Sequence, residues 1–154
     1  MGAERSECKK LIECFKKAIK EFLGDDPKQS SSYSRIINDN HFNRLLKLVP
    51  EMASSKNQRN DDESSPVVVN GNDNENNEEQ KKNNVIAIGG QHDAATRYIA
   101  PTVVLNPDLN SQLMTTEIFG PILPVITVKS LQQAIDFVNE RDKPLALYIF
   151  SKNS

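Results

Sequence analysis

Apolar positions recur every three or four residues from about Ser6 to Leu23, at Cys8, Leu11, Ile12, Phe15, Ala18, Ile19 and Phe22, with lysines between them. That spacing lays one apolar stripe along a helix, and Gly24 followed by Asp25-Asp26-Pro27 stops it. After a polar loop, Asn38 suits the cap of a second helix whose inward face is Phe42, Leu45, Leu46 and Val49, with Pro50 at its end. The periodicity vanishes between 53 and 84 and then changes character. Val85-Ile86-Ala87-Ile88 is a short apolar run closed by Gly89-Gly90, the pattern of a buried strand with a tight exit. Residues 98–105 and 122–128 are extended and rich in β-branched side chains, and their prolines suit strand starts or edges rather than a central ladder. Ser130-Leu131-Gln132-Gln133 is a capping box opening a helix that turns Leu131, Ala134, Ile135 and Val138 inward until Lys143-Pro144 breaks it. Residues 145–150 are apolar throughout, as in a strand covered on both faces.

Strand, helix and strand in succession after residue 121 imply a right-handed crossover, and so an α/β fold with a mostly parallel sheet and flanking helices. The stretch 53–84 is dominated by Asn, Ser, Asp, Glu and Lys, with Val67-Val68-Val69 as its apolar cluster. It cannot bury enough surface to offset the entropy of ordering and reads as a disordered insertion. The chain of 154 residues therefore divides into a helical segment, 1–52, the insertion, 53–84, and a strand-helix-strand portion, 85–154.

A formal net charge of -2 with scattered basic residues gives no reason to expect nucleic acid as a partner. No apolar run approaches a membrane span and no secretory signal is visible, so a soluble, cytoplasmic protein without membrane contact is expected. Met1-Gly2-Ala3-Glu4-Arg5-Ser6 fits the loose N-myristoylation template at Gly2, a pattern short enough to arise by chance, and one acyl chain holds a membrane only marginally. Cys8 and Cys14 sit six residues apart on one helix, too far for a disulfide and too few for a zinc site. They read as reduced thiols, and no metal site is expected.

The chemistry concentrates in Glu117-Ile118-Phe119-Gly120-Pro121, between two apolar segments. A carboxylate accepts from both hydroxyls of a ribose through charge-assisted bonds, and an aromatic two residues on walls one face of a heteroaromatic ring. Gly120 allows close backbone approach and Pro121 fixes the direction of departure. His41 and Arg44 lie in the first turns of the second helix, where backbone and side-chain donors can meet a ribose or phosphate, although a solvated surface is the plainer reading of both. Arg97 beside Tyr98 suits stacking or pairing within the fold.

These segments together resemble the aldehyde dehydrogenase superfamily, in particular its class 3 and fatty aldehyde dehydrogenase branch. The resemblance rests on Ser34-Arg35-Ile36-Ile37-Asn38 with His41-Phe42, on the run from Ala94-Ala95-Thr96-Arg97 to Val103, on Glu117 to Leu123, and on Lys143-Pro144-Leu145-Ala146-Leu147-Tyr148. It runs from about Leu11 to the C-terminus and covers only an internal portion of such an enzyme. In that family a cysteine thiolate attacks the aldehyde, hydride passes to NAD or NADP, and a glutamate-activated water releases the acid. The resemblance implies that Glu117 binds the nicotinamide ribose, that Phe119 packs near the nicotinamide, and that His41 and Arg44 lie near the adenosine end. Cys8, between Glu7 and Lys9, and Cys14, between Glu13 and Phe15, match no nucleophile motif, so no catalytic residue is assigned. The expectation is a fragment of an NAD(P)-dependent aldehyde dehydrogenase, inactive alone and weak in cofactor binding, whose intact form takes an aldehyde substrate. The alternative is a non-catalytic binding or regulatory protein that associates with full-length homologues through strand edges and the first helix. A third reading makes the polar insertion an interaction tail.

Overall fold

A computed structural model describes residues 2–50, 52 and 85–151. The expected insertion at 53–84 lies outside the described residues. Helix α1 spans Gly2–Leu23, four residues longer at its start than the apolar pattern indicates. It ends at Gly24, whose φ of 86° is the left-handed stop that glycine adopts without a Cβ penalty, and the Gly24 N–H donates to the Lys20 carbonyl at 2.9 Å. Its stripe is thinly covered. Ile12 is buried, Phe15, Ala18 and Ile19 are half-buried, and Leu11 and Phe22 face solvent.

Helix α2, Asp39–Leu48, starts as expected, with the Asn38 side chain accepting from the His41 N–H at 2.9 Å. Its inner face carries Phe42, Leu45 and Leu48, continued by Val49 and Met52, while Leu46 packs at the margin. These side chains meet Ile99, Val104, Leu113 and Ile122 in a single core cluster. Each fully buried aliphatic side chain there contributes roughly 1.5–3 kcal/mol relative to exposure.

Three strands form the sheet under that core, in the order β1 (Val85–Ile88), β4 (Thr102–Leu105), β5 (Ile122–Val125). β4 is central, antiparallel to β1 and parallel to β5, so the sheet is mixed rather than mostly parallel. The cause is the segment between β1 and β4, which turns back at once. It forms a two-stranded antiparallel ribbon, β2 (His92–Asp93) and β3 (Tyr98–Ile99), around a 3-10 turn at Ala94–Thr96. The extended run 98–105 is thereby split at Ala100-Pro101, because proline offers no N–H to a ladder. Thr102 closes the break: its Oγ1 accepts from the Gly90 N–H at 3.0 Å and donates to the Ala100 carbonyl at 2.7 Å. Pro124 falls in β5, an edge strand of this sheet, as proline requires.

A short helix α3, Gln112–Thr115, drops Leu113 into the core, and α4 spans Leu131–Asn139. Ser130 caps α4, accepting from the Gln133 N–H at 3.1 Å, and the Gln133 side chain reaches back to the Lys129 N–H at 2.7 Å. The expected inward face of α4 is not buried: Leu131 is 77% exposed and Ile135 43%. Residues 145–150 are not a strand. Leu145, Leu147, Tyr148, Ile149 and Phe150 are all exposed, because a strand covered on both faces needs neighbouring strands and helices, and none packs on this segment among the described residues.

Candidate functional site

The five residues 117–121 link α3 to β5, and α2 crosses directly beneath them. Arg44 reaches up from α2 so that Nη1 donates to the Glu117 carbonyl at 3.2 Å and Nη2 to the Ile118 carbonyl at 2.6 Å. One turn of α2 thus holds two successive carbonyls with one planar group, a match that guanidinium geometry favours. On the adjoining position Leu45 presses against Gly120, where a Cβ would lie 2.5 Å from Leu45 Cδ2. A Cβ here would force the Leu45 side chain to shift. Ile118 packs against the core, and Phe119, its neighbour, is 78% exposed.

Phe119 has a φ of 46°, in the left-handed region that a bulky side chain avoids. Holding such a residue there costs about 1–3 kcal/mol and persists only where the surroundings over-determine it. Arg44 on one side and the Leu45–Gly120 contact on the other supply that constraint. The strand direction is fixed immediately afterwards, by the Ile122 N–H donating to the Gly120 carbonyl at 2.9 Å and the Thr102 N–H to the Pro121 carbonyl at 2.8 Å.

Glu117 is exposed, and among the described residues its carboxylate has no hydrogen-bond or ion-pair partner. Glu117, Phe119 and Arg44 are therefore brought together, two side chains outward and one serving the backbone. His41 lies on the exposed first turn of α2, three residues before Arg44; its backbone N–H is taken by the Asn38 cap, and its side chain bonds to none of the other three. A free carboxylate two residues from an open aromatic face is a donor-poor, acceptor-rich edge suited to a hydroxyl-bearing ring system. No cluster of three metal-ligating side chains occurs among the described residues. A shallow concavity between Asn106, Leu109, Thr127 and Phe137 is separate from this loop.

The β2–β3 ribbon is stapled by residues 24–37. The Tyr33 hydroxyl donates to the Ile99 carbonyl at 2.8 Å, the Ile36 N–H donates to the Arg97 carbonyl at 3.1 Å, and Lys28 pairs with Asp93 at 2.9 Å. Arg35, rather than Arg97, stacks over Tyr98, 5.1 Å from the ring centroid; Arg97 adopts a left-handed φ of 52° and pairs with Asp39 at 3.5 Å. Asp93 accepts from Lys28, from the Thr96 hydroxyl and from the Ala95 N–H, and these bonds, Lys28 foremost, lower its carboxyl to about 2. Burial pushes the Tyr33 and Tyr98 hydroxyls above the ordinary tyrosine value.

Three features of this region escape the hydrophobic pattern: the left-handed Phe119, the Arg35–Tyr98 stack, and Asn106. Asn106 has a φ of 45°, and its Oδ1 accepts from both the Thr127 N–H (2.8 Å) and the Thr127 hydroxyl (2.9 Å), tying the ends of β4 and β5 together. Asparagine's tolerance of left-handed backbone was the available signal for the last.

The aldehyde dehydrogenase family model matches residues 34–154, which include all of this loop and α2. The chain belongs to the aldehyde dehydrogenase family. It is 44% identical over 143 residues to the dimeric NADP-preferring aldehyde dehydrogenase of Canis lupus familiaris, covering 93% of this chain and 24% of that protein. It is 40% identical over 151 residues to aldehyde dehydrogenase family 3 member A2 of Mus musculus, covering 98% of this chain and 25% of that protein. The Staphylococcus aureus AldH structure in its substrate-bound state superposes with a TM-score of 0.70 at 34% identity, over 95% of this chain and 25% of that one. The aldehyde dehydrogenase segment thus spans about a quarter of the length of these relatives. No described helix is long and apolar enough to cross a membrane.

Proposed function

We propose that residues 117–121 form the nicotinamide-side wall of an NAD(P) pocket in a protein that oxidises aldehydes to carboxylic acids. The observation that carries the reading is the pair of outward groups on a clamped loop, the unpaired Glu117 carboxylate and the open Phe119 ring. Family membership adds to it, as does a relative named for preferring NADP. Glu117 accepts from the two ribose hydroxyls next to the nicotinamide, and Phe119 packs against the ring. His41 stands toward the adenosine end. Bound NAD or NADP supplies the hydride acceptor; the residues of this chain orient it. Cys8 and Cys14 lie on α1, half-buried and exposed respectively, outside the Glu117 loop; in this reading neither is the nucleophile of the reaction, and the 154-residue chain alone is inactive.

Saturation-transfer NMR with NAD and NADP tests the reading. Saturation is expected on the nicotinamide and its ribose at millimolar cofactor, falling sharply in Glu117→Ala and Phe119→Ala; equal saturation in both variants and the wild type would contradict it. Stabilisation by millimolar cofactor stays small, since it grows only with the ratio of ligand to its dissociation constant. Incubation of the chain with aldehyde and NADP should give no cofactor reduction above background, and turnover abolished by Cys8→Ser or Cys14→Ser would overturn that part.

A second reading has its own observation. The exposed apolar residues of α4 and 145–150 suit a protein that docks onto full-length relatives without catalysing anything. Co-elution with a full-length homologue in size-exclusion chromatography supports that reading, and separate elution removes it.

A further inference from the structure

We infer that Arg44 is a positioning residue: it sets the Glu117–Phe119 edge through the loop backbone and does not bind the cofactor itself. This rests on the cofactor reading above and assigns Arg44 a different task from the phosphate or ribose contact that its place in the first turns of α2 suggests. Both ends of its guanidinium fork are spent on carbonyls, Glu117 at 3.2 Å and Ile118 at 2.6 Å. Those carbonyls flank the two peptide planes that lead into the left-handed Phe119. With the carbonyls drawn toward α2, the Glu117 and Phe119 side chains are left on the solvent side, while Ile118 packs inward. The Leu45–Gly120 contact pins the far end of the same turn. Release of the carbonyls removes the force that offsets the strain at Phe119, and the ring and carboxylate lose their common edge.

A direct phosphate contact and a backbone clamp respond differently to charge and shape. Lysine keeps the charge and most of the stem but is a point donor, unable to span two carbonyls as a planar fork does. The clamp therefore makes Arg44→Lys nearly as damaging as Arg44→Ala. A phosphate contact makes Arg44→Lys mild and concentrates any loss on NADP, whose additional 2′-phosphate is the group an arginine would select.

The test compares the wild-type chain, Arg44→Lys and Arg44→Ala by two readouts. In the absence of cofactor, the strong intraresidue amide-to-α nuclear Overhauser effect that marks a left-handed residue is followed at Phe119, with slow amide exchange at Val103 and Val104 confirming an intact sheet. With cofactor, NAD and NADP affinities are measured by the same saturation-transfer titration. The expected result is loss of the Phe119 signature in both variants, together with an about tenfold weakening of NAD and NADP alike, the scale of one lost charged hydrogen bond. Retention of the Phe119 signature in Arg44→Ala, or a loss confined to NADP, overturns the inference. If the wild-type chain binds neither cofactor, the pocket reading and the cofactor half of the inference fall together, and the Phe119 signal alone still decides whether Arg44 sets the loop.

Discussion

Phe119 and Gly120 show how much of this site is decided by single backbone positions. Gly120→Ala places a methyl group 2.5 Å from the Leu45 terminal carbons, which must swing aside. The expected cost is about 1–3 kcal/mol of stability, the usual range for overpacking, with a matching loss of nicotinamide saturation. Chemical denaturation and the saturation experiment check the two halves. Asn38→Ala removes the cap of α2, and about 1 kcal/mol is expected to go with it. Asp93 gives a pH dependence with a definite sign. Its carboxyl is held at about 2, below the ordinary value near 4, so the folded state binds the proton less readily than the unfolded chain. The contribution of the Lys28, Thr96 and Ala95 bonds is fully present above about pH 4 and is lost as pH falls from there toward 2. Asp93→Asn should flatten the acid limb of a stability profile; an unchanged limb would show that other carboxylates set it. These residues were unevenly legible. Asn38 and Gly24 announce themselves because caps and stops demand particular side chains, whereas nothing in the letters Ile-Phe-Gly says that the phenylalanine is the left-handed one.

At the scale of elements, local rules succeeded where the cause is local. Both capped helices, the Val85–Ile88 strand with its glycine exit and the placement of prolines at a strand start and a sheet edge follow from propensity and periodicity. Pairing direction does not, because it depends on where the chain between two strands goes. The β2–β3 ribbon returns the chain beside β1 without a crossover, and the sheet is mixed for that reason. Residues 145–150 and the inner face of α4 show the converse. Their apolar pattern records a requirement for cover that the described residues do not meet. The proposed site residues split in the same way: Glu117 and Phe119 were proposed from a motif, while the reach of Arg44 to a loop 73 residues away left no trace in the sequence. Burial orders the expected mutational effects. Leu45→Ala, at 0% exposure, should destabilise by about 2–5 kcal/mol, and Leu131→Ala, at 77%, by about 0.5 kcal/mol or less. Equal effects in denaturation would show that α4 is covered in solution.

At the largest scale, one core among the described residues joins α2, the mixed sheet and α3, and the proposed cofactor edge is the roof of that core rather than a cavity within it. The proposed pocket turns on one contact, between the clamped loop and the nicotinamide. Nuclear Overhauser effects between the Phe119 ring protons and the nicotinamide protons of bound NADP measure that contact directly. Cross-peaks from Phe119 to the nicotinamide, lost in Glu117→Ala, are the expected result; cross-peaks from Phe119 to the adenine alone, or none at a concentration where NADP is bound, would contradict the account.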